Sequence, residues 1–262
     1  MAMDHPLEKL SGMDSSESFS SLRRDSQSVY QSYRLSKELP VPNYLEQTYW
    51  WAYLHPRGVH FFERQWLVNL ILWGNYNRLR DAALAEIEPC HDGNNCLQVA
   101  CVYGDFTKRF SARLGEKGHL NVVDVAPVQL ENIQRKTRGL TNLSLHHEDS
   151  TDLSFKSGTF DHVVVFFLLH EQPAASRILT VQEAYRVTRP GGKLIFIDYH
   201  GPSFWNPYRY IMFPILRTLE PFAMDLWREE IVDLLPTDLP APAAIQKQTF
   251  FGGLYQKVVL TR

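Results

Sequence analysis

Apolar positions along residues 97–197 alternate between short runs and helical spacing. Residues 97–101 predict a strand, and Phe106, Phe110 and Leu114, spaced i, i+4, i+8, predict a helix over 106–114. A strand at 120–123, a helix opened by Pro127, strands at 143–147 and 162–169, a helix over 176–187 and a strand at 193–197 follow in turn. This βαβ rhythm predicts a parallel sheet covered by helices on both faces, with ligands at the carboxyl ends of the strands. After Asp198 the rhythm stops. Residues 201–246 read as a cap inserted before a final strand pair at about 247–252 and 255–261, and seven aromatics fall between Phe204 and Trp227. The resulting fold class is α/β, Rossmann-like, with a mainly parallel sheet of seven strands.

Upstream of this unit the composition changes twice. Residues 1–40 are Ser-rich and charged with few large apolar groups, so they read as a disordered tail that buries too little surface to offset chain entropy. Residues 41–90 read as an aromatic-rich helical segment, with helices at about 58–72 and 75–88 placed by Phe62, Trp66, Leu70 and Trp73. Ten aromatics lie within the 33 residues from Tyr44 to Tyr76, among Arg57 and Arg64. They fit core packing with cation–π pairs first, and as the alternative an apolar, partly basic wall for an aromatic ligand or a membrane surface.

Charge and cysteine content narrow the classes. With 27 basic and 29 acidic residues in 262, the chain lacks the basic excess that phosphate neutralisation needs, so no nucleic-acid partner is expected. The three cysteines, Cys90, Cys96 and Cys101, are odd in number and bunched, which fits a reducing compartment better than a disulfide framework. The longest apolar run, 163–169, is seven residues, against the roughly 20 that a membrane-spanning helix needs. The first residues carry Asp4, Glu8, Asp14 and Glu17 and no apolar stretch, so a cytoplasmic protein is expected.

The first ligand signal is the turn after the first strand, LQVACVYGDF, which keeps one glycine, Gly104. Asp124 follows 20 residues later at the end of the second strand, the spacing at which a carboxylate takes a ribose diol. The same carboxylate would also serve as a helix N-cap ahead of Pro127.

Four stretches then carry a resemblance: EDSTDLSF (148–155), FDHVVVFFLLHEQP (160–173), EAYRVTRPGGKLIFIDYH (183–200) and FFGGLYQKVVL (250–260). In this order they resemble class I S-adenosylmethionine-dependent methyltransferases of the ubiquinone and menaquinone branch, over about residues 95–262. The resemblance implies that Asp149 and Ser150 lie on the adenine side and Asp124 on the ribose. The first motif departs from that family, which has an acidic residue and a GxGxG turn. Gln98 stands at the acidic position, Ala100 and Val102 at the first two glycines, and Tyr103 precedes Gly104. With residues 47–75, this combination resembles the rhodoquinone biosynthesis proteins. That resemblance implies replacement of a ubiquinone ring methoxy group by an amino group, S-adenosylmethionine as nitrogen source, and Mn²⁺. It also implies a polyprenylated quinone partner and peripheral association with the inner face of a bacterial inner membrane. Trp50, Trp51, Phe204 and Trp205, with Arg57, Arg64 and Arg209, are the expected contact residues.

A neutral Gln98 removes a carboxylate that would hold the cofactor's α-ammonium charged, which favours a nucleophilic amine. Motif decay in a chain that has ceased to bind the cofactor is the competing account. His170 and Glu171 follow the fourth strand and Asp198 and His200 the fifth, while His146, His147, Glu148, Asp149 and Asp152 cluster after the third. Oxygen and imidazole ligands of these kinds suit manganese, with no ligand set determined. His170 is taken as base or metal ligand, with Glu171 and Asp198 in support, because both strand ends open onto the ligand cleft. Three functions stay open: amination of a quinone, C- or O-methylation of a quinone or phenol, and a non-catalytic subunit of a lipid-biosynthesis assembly.

Overall fold

A computed structural model describes residues 39–88 and 93–262. The expected tail, except for residues 39 and 40, and Cys90 lie outside the described residues. Seven strands form one sheet: β1 (Asn95–Val99), β2 (His119–Asp124), β3 (Leu143–His147), β4 (Phe160–Phe166), β5 (Thr188–Tyr199), β6 (Ala244–Phe250) and β7 (Tyr255–Thr261). Their order is β3-β2-β1-β4-β5-β7-β6. The first five are parallel, and β7 runs antiparallel between β5 and β6. This is the sheet expected of the class I methyltransferase fold.

The apolar run of β4 shows why the sheet is buried on both sides. Val163 and Val165 pack with Leu97, Val99 and Phe196 on one face. Val164 and Phe166 pack with Val122, Ile195 and Phe106 on the other, so each strand supplies both cores with period two. The helices are α1 (Pro56–Phe62), α2 (Gln65–Ile71), α3 (Tyr76–Leu84), α4 (Phe106–Leu114), α5 (Pro127–Lys136), α6 (Ala174–Val187) and α7 (Tyr208–Leu219). Tyr76 and Leu79 of α3 and Phe106 and Phe110 of α4 cover the Val164 face, while Val181 and Ala184 of α6 cover the Val163 face.

Three local expectations change. The helix expected over 58–72 is split into α1 and α2 at Glu63 and Arg64, where Arg64 turns extended with ψ of 113°. Before it lies an unanticipated wide-turned helix, Leu45–Leu54, closed by the His55 N–H on the Trp50 carbonyl at 2.8 Å. Leu45, Tyr49 and Ala52 turn inward from it. The strand expected to run to Leu169 stops at Phe166. Phe167 adopts a positive φ of 53°, and the chain turns into a short 3₁₀ helix, Leu169–Glu171. Asp198 Oδ2 accepts the Leu169 N–H at 2.9 Å and fixes that turn.

Candidate active site

The strand order reverses between β1 and β4, so the loops leaving their carboxyl ends part and open a crevice. Two adjoining cavities lie there. The first, of about 610 Å³, is walled by Ala100, Asp124, Asp149, Ser150, Phe167 and Gln172, with Tyr44 and Tyr53 closing over it from the aromatic segment. The second, of about 790 Å³, is walled by Trp51, Phe62, Tyr103, Phe166, Tyr199 and Ile71, with His170 and Glu220 as its polar groups. Tyr53, Cys101, Phe167 and Glu171 belong to both and form the partition.

Asp124 ends β2, and its carboxylate accepts the Cys101 N–H at 2.7 Å and the Ala126 N–H at 2.8 Å. Burial pushes its carboxyl up, while those two backbone bonds favour the charged form. The N-cap of α5 is Ala126, with no side-chain cap bond, so Asp124 is not the helix cap: it closes the turn ahead of the helix and faces the cleft. Asp149 closes its own turn, accepting the Thr151 N–H at 2.9 Å. Ser150 is tied to Thr180 at 2.8 Å and accepts from Gln172 Nε2 at 3.1 Å. Gln172 is fully buried, and its Oε1 has no partner among the described residues.

Four residues assigned to the cofactor do not line this cleft. Gln98 is fully buried within β1 and donates from Nε2 to the Ala100 carbonyl at 2.9 Å, so its side chain braces the turn from beneath. Val102 and Tyr103 face the second cavity. The Gly104 N–H donates to Glu63 Oε1 at 3.2 Å. A Cβ at Gly104, whose φ is +80°, would stand 2.7 Å from the Tyr76 hydroxyl. Ala100 holds φ of +68°, a conformation for which its position in the motif ordinarily carries glycine. The departure therefore has a structural reason: the turn is rebuilt around the aromatic segment. Tyr103 stacks on Tyr53 and donates its hydroxyl to the Ala52 carbonyl at 2.6 Å. Glu63 accepts from Asn132 at 2.6 Å and pairs with Lys136 at 2.6 Å.

The three residues expected to be catalytic come together beside the partition: Glu171 is part of it, His170 lines the second cavity, and Asp198 is buried behind His170 and lines neither cavity. Asp198 receives His170 Nδ1–H at 2.9 Å and the Tyr199 N–H at 2.7 Å. Burial disfavours a charged imidazole, but Asp198 and then Glu171 outweigh it and raise His170 to about 9. His170 Nε2 lies 3.8 Å from Glu171 Oε1. Burial above all, with Glu220 adding repulsion against the opposing pull of His170, raises Glu171 to about 8.

Sequence reasoning missed four contributors. Glu220 ends α7 with Oε2 buried and without a partner among the described residues, and burial raises its carboxyl too. Tyr44 and Tyr53 come from the wide-turned helix. Arg177 is fully buried: it donates to the Leu169 and Gln172 carbonyls at 3.0 and 2.9 Å and pairs with Glu229 at 2.9 Å. It locks the turn carrying His170 and Glu171 to the cap. A buried arginine in a helix predicted from its apolar spacing was the one available signal.

Manganese finds no matching arrangement. Among the described residues no group of three or more His, Cys, Asp or Glu is placed to hold a metal ion. The imidazoles are engaged elsewhere, His146 with Asn121, His147 with the Val125 carbonyl and His200 with the Gly253 carbonyl. Glu148 is held by Ser154 at 2.6 Å.

Residues 96–192 match the family model for a methyltransferase domain. A demethylmenaquinone methyltransferase of Staphylococcus saprophyticus is 30% identical over 137 residues, which cover 52% of this chain and 58% of that protein. The chain spans about half the length of the curated relatives it matches. Among solved structures, a SAM-dependent methyltransferase from Aquifex aeolicus superposes with a TM-score of 0.50 at 17% identity, over 79% of this chain and 98% of that one. A possible exported protein from Bordetella parapertussis does so with 0.59 at 13% identity, over 96% and 99%. These likenesses establish the class I methyltransferase fold.

Proposed function

We propose that this chain is an S-adenosylmethionine-dependent methyltransferase acting on a quinone- or phenol-type ring. The observation that carries the reading is the pair of cavities sharing the Tyr53–Cys101–Phe167–Glu171 wall: one has a carboxylate at the ribose position, the other an aromatic lining. The unpartnered Gln172 Oε1 leaves an acceptor for an exocyclic amine. Asp124 would hold the ribose hydroxyls, with Asp149, Ser150 and Gln172 on the adenine side. Similarity to the demethylmenaquinone methyltransferases supports a quinone-related ring.

When bound, S-adenosylmethionine supplies an electrophilic methyl group. The chain's own residues prepare the acceptor. Glu171, raised to about 8, takes a ring hydroxyl proton through its ionised fraction, which grows as pH approaches 8. His170, held cationic and oriented through Nδ1 by Asp198, donates from Nε2 to the oxyanion that forms. The aromatic lining excludes water, which strengthens both effects.

Amination of the ring, with S-adenosylmethionine as nitrogen source, is the second reading. It rests on the departure of the first motif at Ala100 and Val102; Gln98, buried beneath the turn on the Ala100 carbonyl, does not face the cofactor cavity, so its replacement of a carboxylate adds no support. Pure protein incubated with the cofactor and a short-tailed quinol, followed by mass spectrometry of both products, separates the readings. Methyl transfer gives a ring heavier by one methylene and stoichiometric S-adenosylhomocysteine. Amination gives an amino group in place of a methoxy group, and a non-catalytic subunit gives no turnover with either redox form of the ring.

A further inference from the structure

A carboxylate at the β1 turn would hold the α-ammonium of S-adenosylmethionine, and this chain offers none there. Gln98 is buried beneath the turn on the Ala100 carbonyl. The acids beside the turn are already paired, Glu63 with Lys136 at 2.6 Å and Asp105 with Arg80 and Arg109 at 2.8 and 2.5 Å. The backbone of the turn is engaged as well. The Cys101 N–H is on Asp124 and the Gly104 N–H on Glu63, while the Val102 and Tyr103 carbonyls accept from Lys136 and the Tyr76 hydroxyl at 3.2 and 3.1 Å. With adenosine in the first cavity and the acceptor ring in the second, the sulfonium lies at the shared wall. The amino-acid chain beyond it then meets the second cavity along Val102 and Tyr103. Its positive charge needs a counter-charge on that side.

Two acids line the second cavity, Glu171 and Glu220. Glu171 lies on the partition, 3.8 Å from His170 Nε2, and serves the reacting hydroxyl. Glu220, at the end of α7, has a buried Oε2 without a hydrogen-bond partner among the described residues. The Tyr49 hydroxyl that faces it is also buried and without a partner, and Tyr53 and Tyr199 feel its charge. An unpaired carboxyl oxygen in an aromatic cavity destabilises the ligand-free protein, and a bound cation removes that cost. The negative faces of tyrosine rings suit an ammonium too. Among the lining residues His170 is the only cation, and Asp198 balances it at 2.9 Å. A second ring hydroxyl is the other candidate occupant, but a hydroxyl is already served by Glu171 and His170, whereas the ammonium has no other acid.

We infer that Glu220 binds the α-ammonium of S-adenosylmethionine, supplying from the cap the carboxylate that the β1 turn lacks. The inference rests on S-adenosylmethionine as cofactor, whichever group is transferred. Its test compares S-adenosylhomocysteine, which carries the ammonium, with 5′-methylthioadenosine, which has a methyl group in place of the amino-acid chain. Calorimetry on full-length protein gives both dissociation constants for the parent and for Glu220→Gln. The variant should bind S-adenosylhomocysteine about tenfold or more weakly, and 5′-methylthioadenosine within about twofold of the parent. Because the carboxyl has no partner in the ligand-free fold, thermal unfolding should stay the same or rise, and Glu220→Ala should behave alike. Equal weakening of the two ligands, or unchanged affinity for S-adenosylhomocysteine, would overturn the inference and leave the cofactor reading standing. Failure of the parent to bind either ligand would overturn both. Loss of folding in both variants would overturn the inference as well, by making the carboxyl a structural group.

Discussion

Glu171→Gln isolates the energetic consequence of placing a carboxyl on the partition. In the fold this group titrates at about 8, against an ordinary value of 4.5, chiefly because burial disfavours its charged form. Between pH 4.5 and 8 the folded state keeps a proton that the unfolded chain has released, so stability falls as pH rises through that window. A shift of this size corresponds to about 5 kcal/mol as an upper limit, at about 1.4 kcal/mol per unit. His170 acts in the same sense. Its value is raised from 6.5 to about 9, so its stabilisation is full below pH 6.5 and lost as pH rises toward 9. Because the two groups titrate as a pair, part of the Glu171 effect is expressed through His170. The expected difference between parent and variant is therefore about 2–4 kcal/mol. Urea unfolding of ligand-free protein at pH 5 and pH 8.5 measures it: the parent should lose that much more stability than Glu171→Gln across the interval. Parallel losses in the two proteins would refute the assignment of Glu171 as a buried carboxyl held protonated near neutrality.

Asp124→Ala should weaken S-adenosylmethionine binding by about 1.5–3 kcal/mol, roughly 10- to 150-fold in Kd by calorimetry, and unchanged affinity in a folded variant would remove Asp124 from the site. Asp124→Asn, which keeps the volume beside the Cys101 and Ala126 N–H groups, should lose affinity in the same direction. Gln98→Glu would turn a buried donor into a carboxylate against the Ala100 carbonyl and should lower stability by about 1–3 kcal/mol or more; an unchanged melting temperature would show that the side chain is not held as described. Glu63→Ala removes the acceptor shared by Gly104, Asn132 and Lys136 and should speed proteolysis within residues 45–74 well before the sheet is cut. Equal digestion of parent and variant would show that Glu63 does not hold the aromatic segment down.

The sequence by itself determined the sheet and its active edge. Each strand from β1 to β5 is a run of neighbours in the chain, and each helix between them repeats its apolar positions locally, so a linear reading recovers their order. The carboxyl end of a parallel strand follows from that order. This is why Asp124, Asp149, His170, Glu171 and Asp198 were all legible as residues of one edge. The meeting of His170 with Asp198 and Glu171 needed only that β4 and β5 be adjacent. What the aromatic segment does was decided only in three dimensions. Its rings divide between buried Tyr49 and Tyr76 and exposed Trp50 and Trp66, because its helices are covered on one side by the sheet edge and left bare on the other. No local pattern announces that division. The same holds for the β1 turn. Tyr103 and Gly104 occupy a ligand motif in the sequence, but Tyr53, Glu63 and Tyr76 arrive from 28 to 50 residues upstream and take up their contacts. Glu220 and Arg177 likewise acquire their place through the cap's return over the sheet. A residue's strand end is a property of the chain nearby, whereas its partners across a cavity depend on which distant segment fills the space, and that is set by packing.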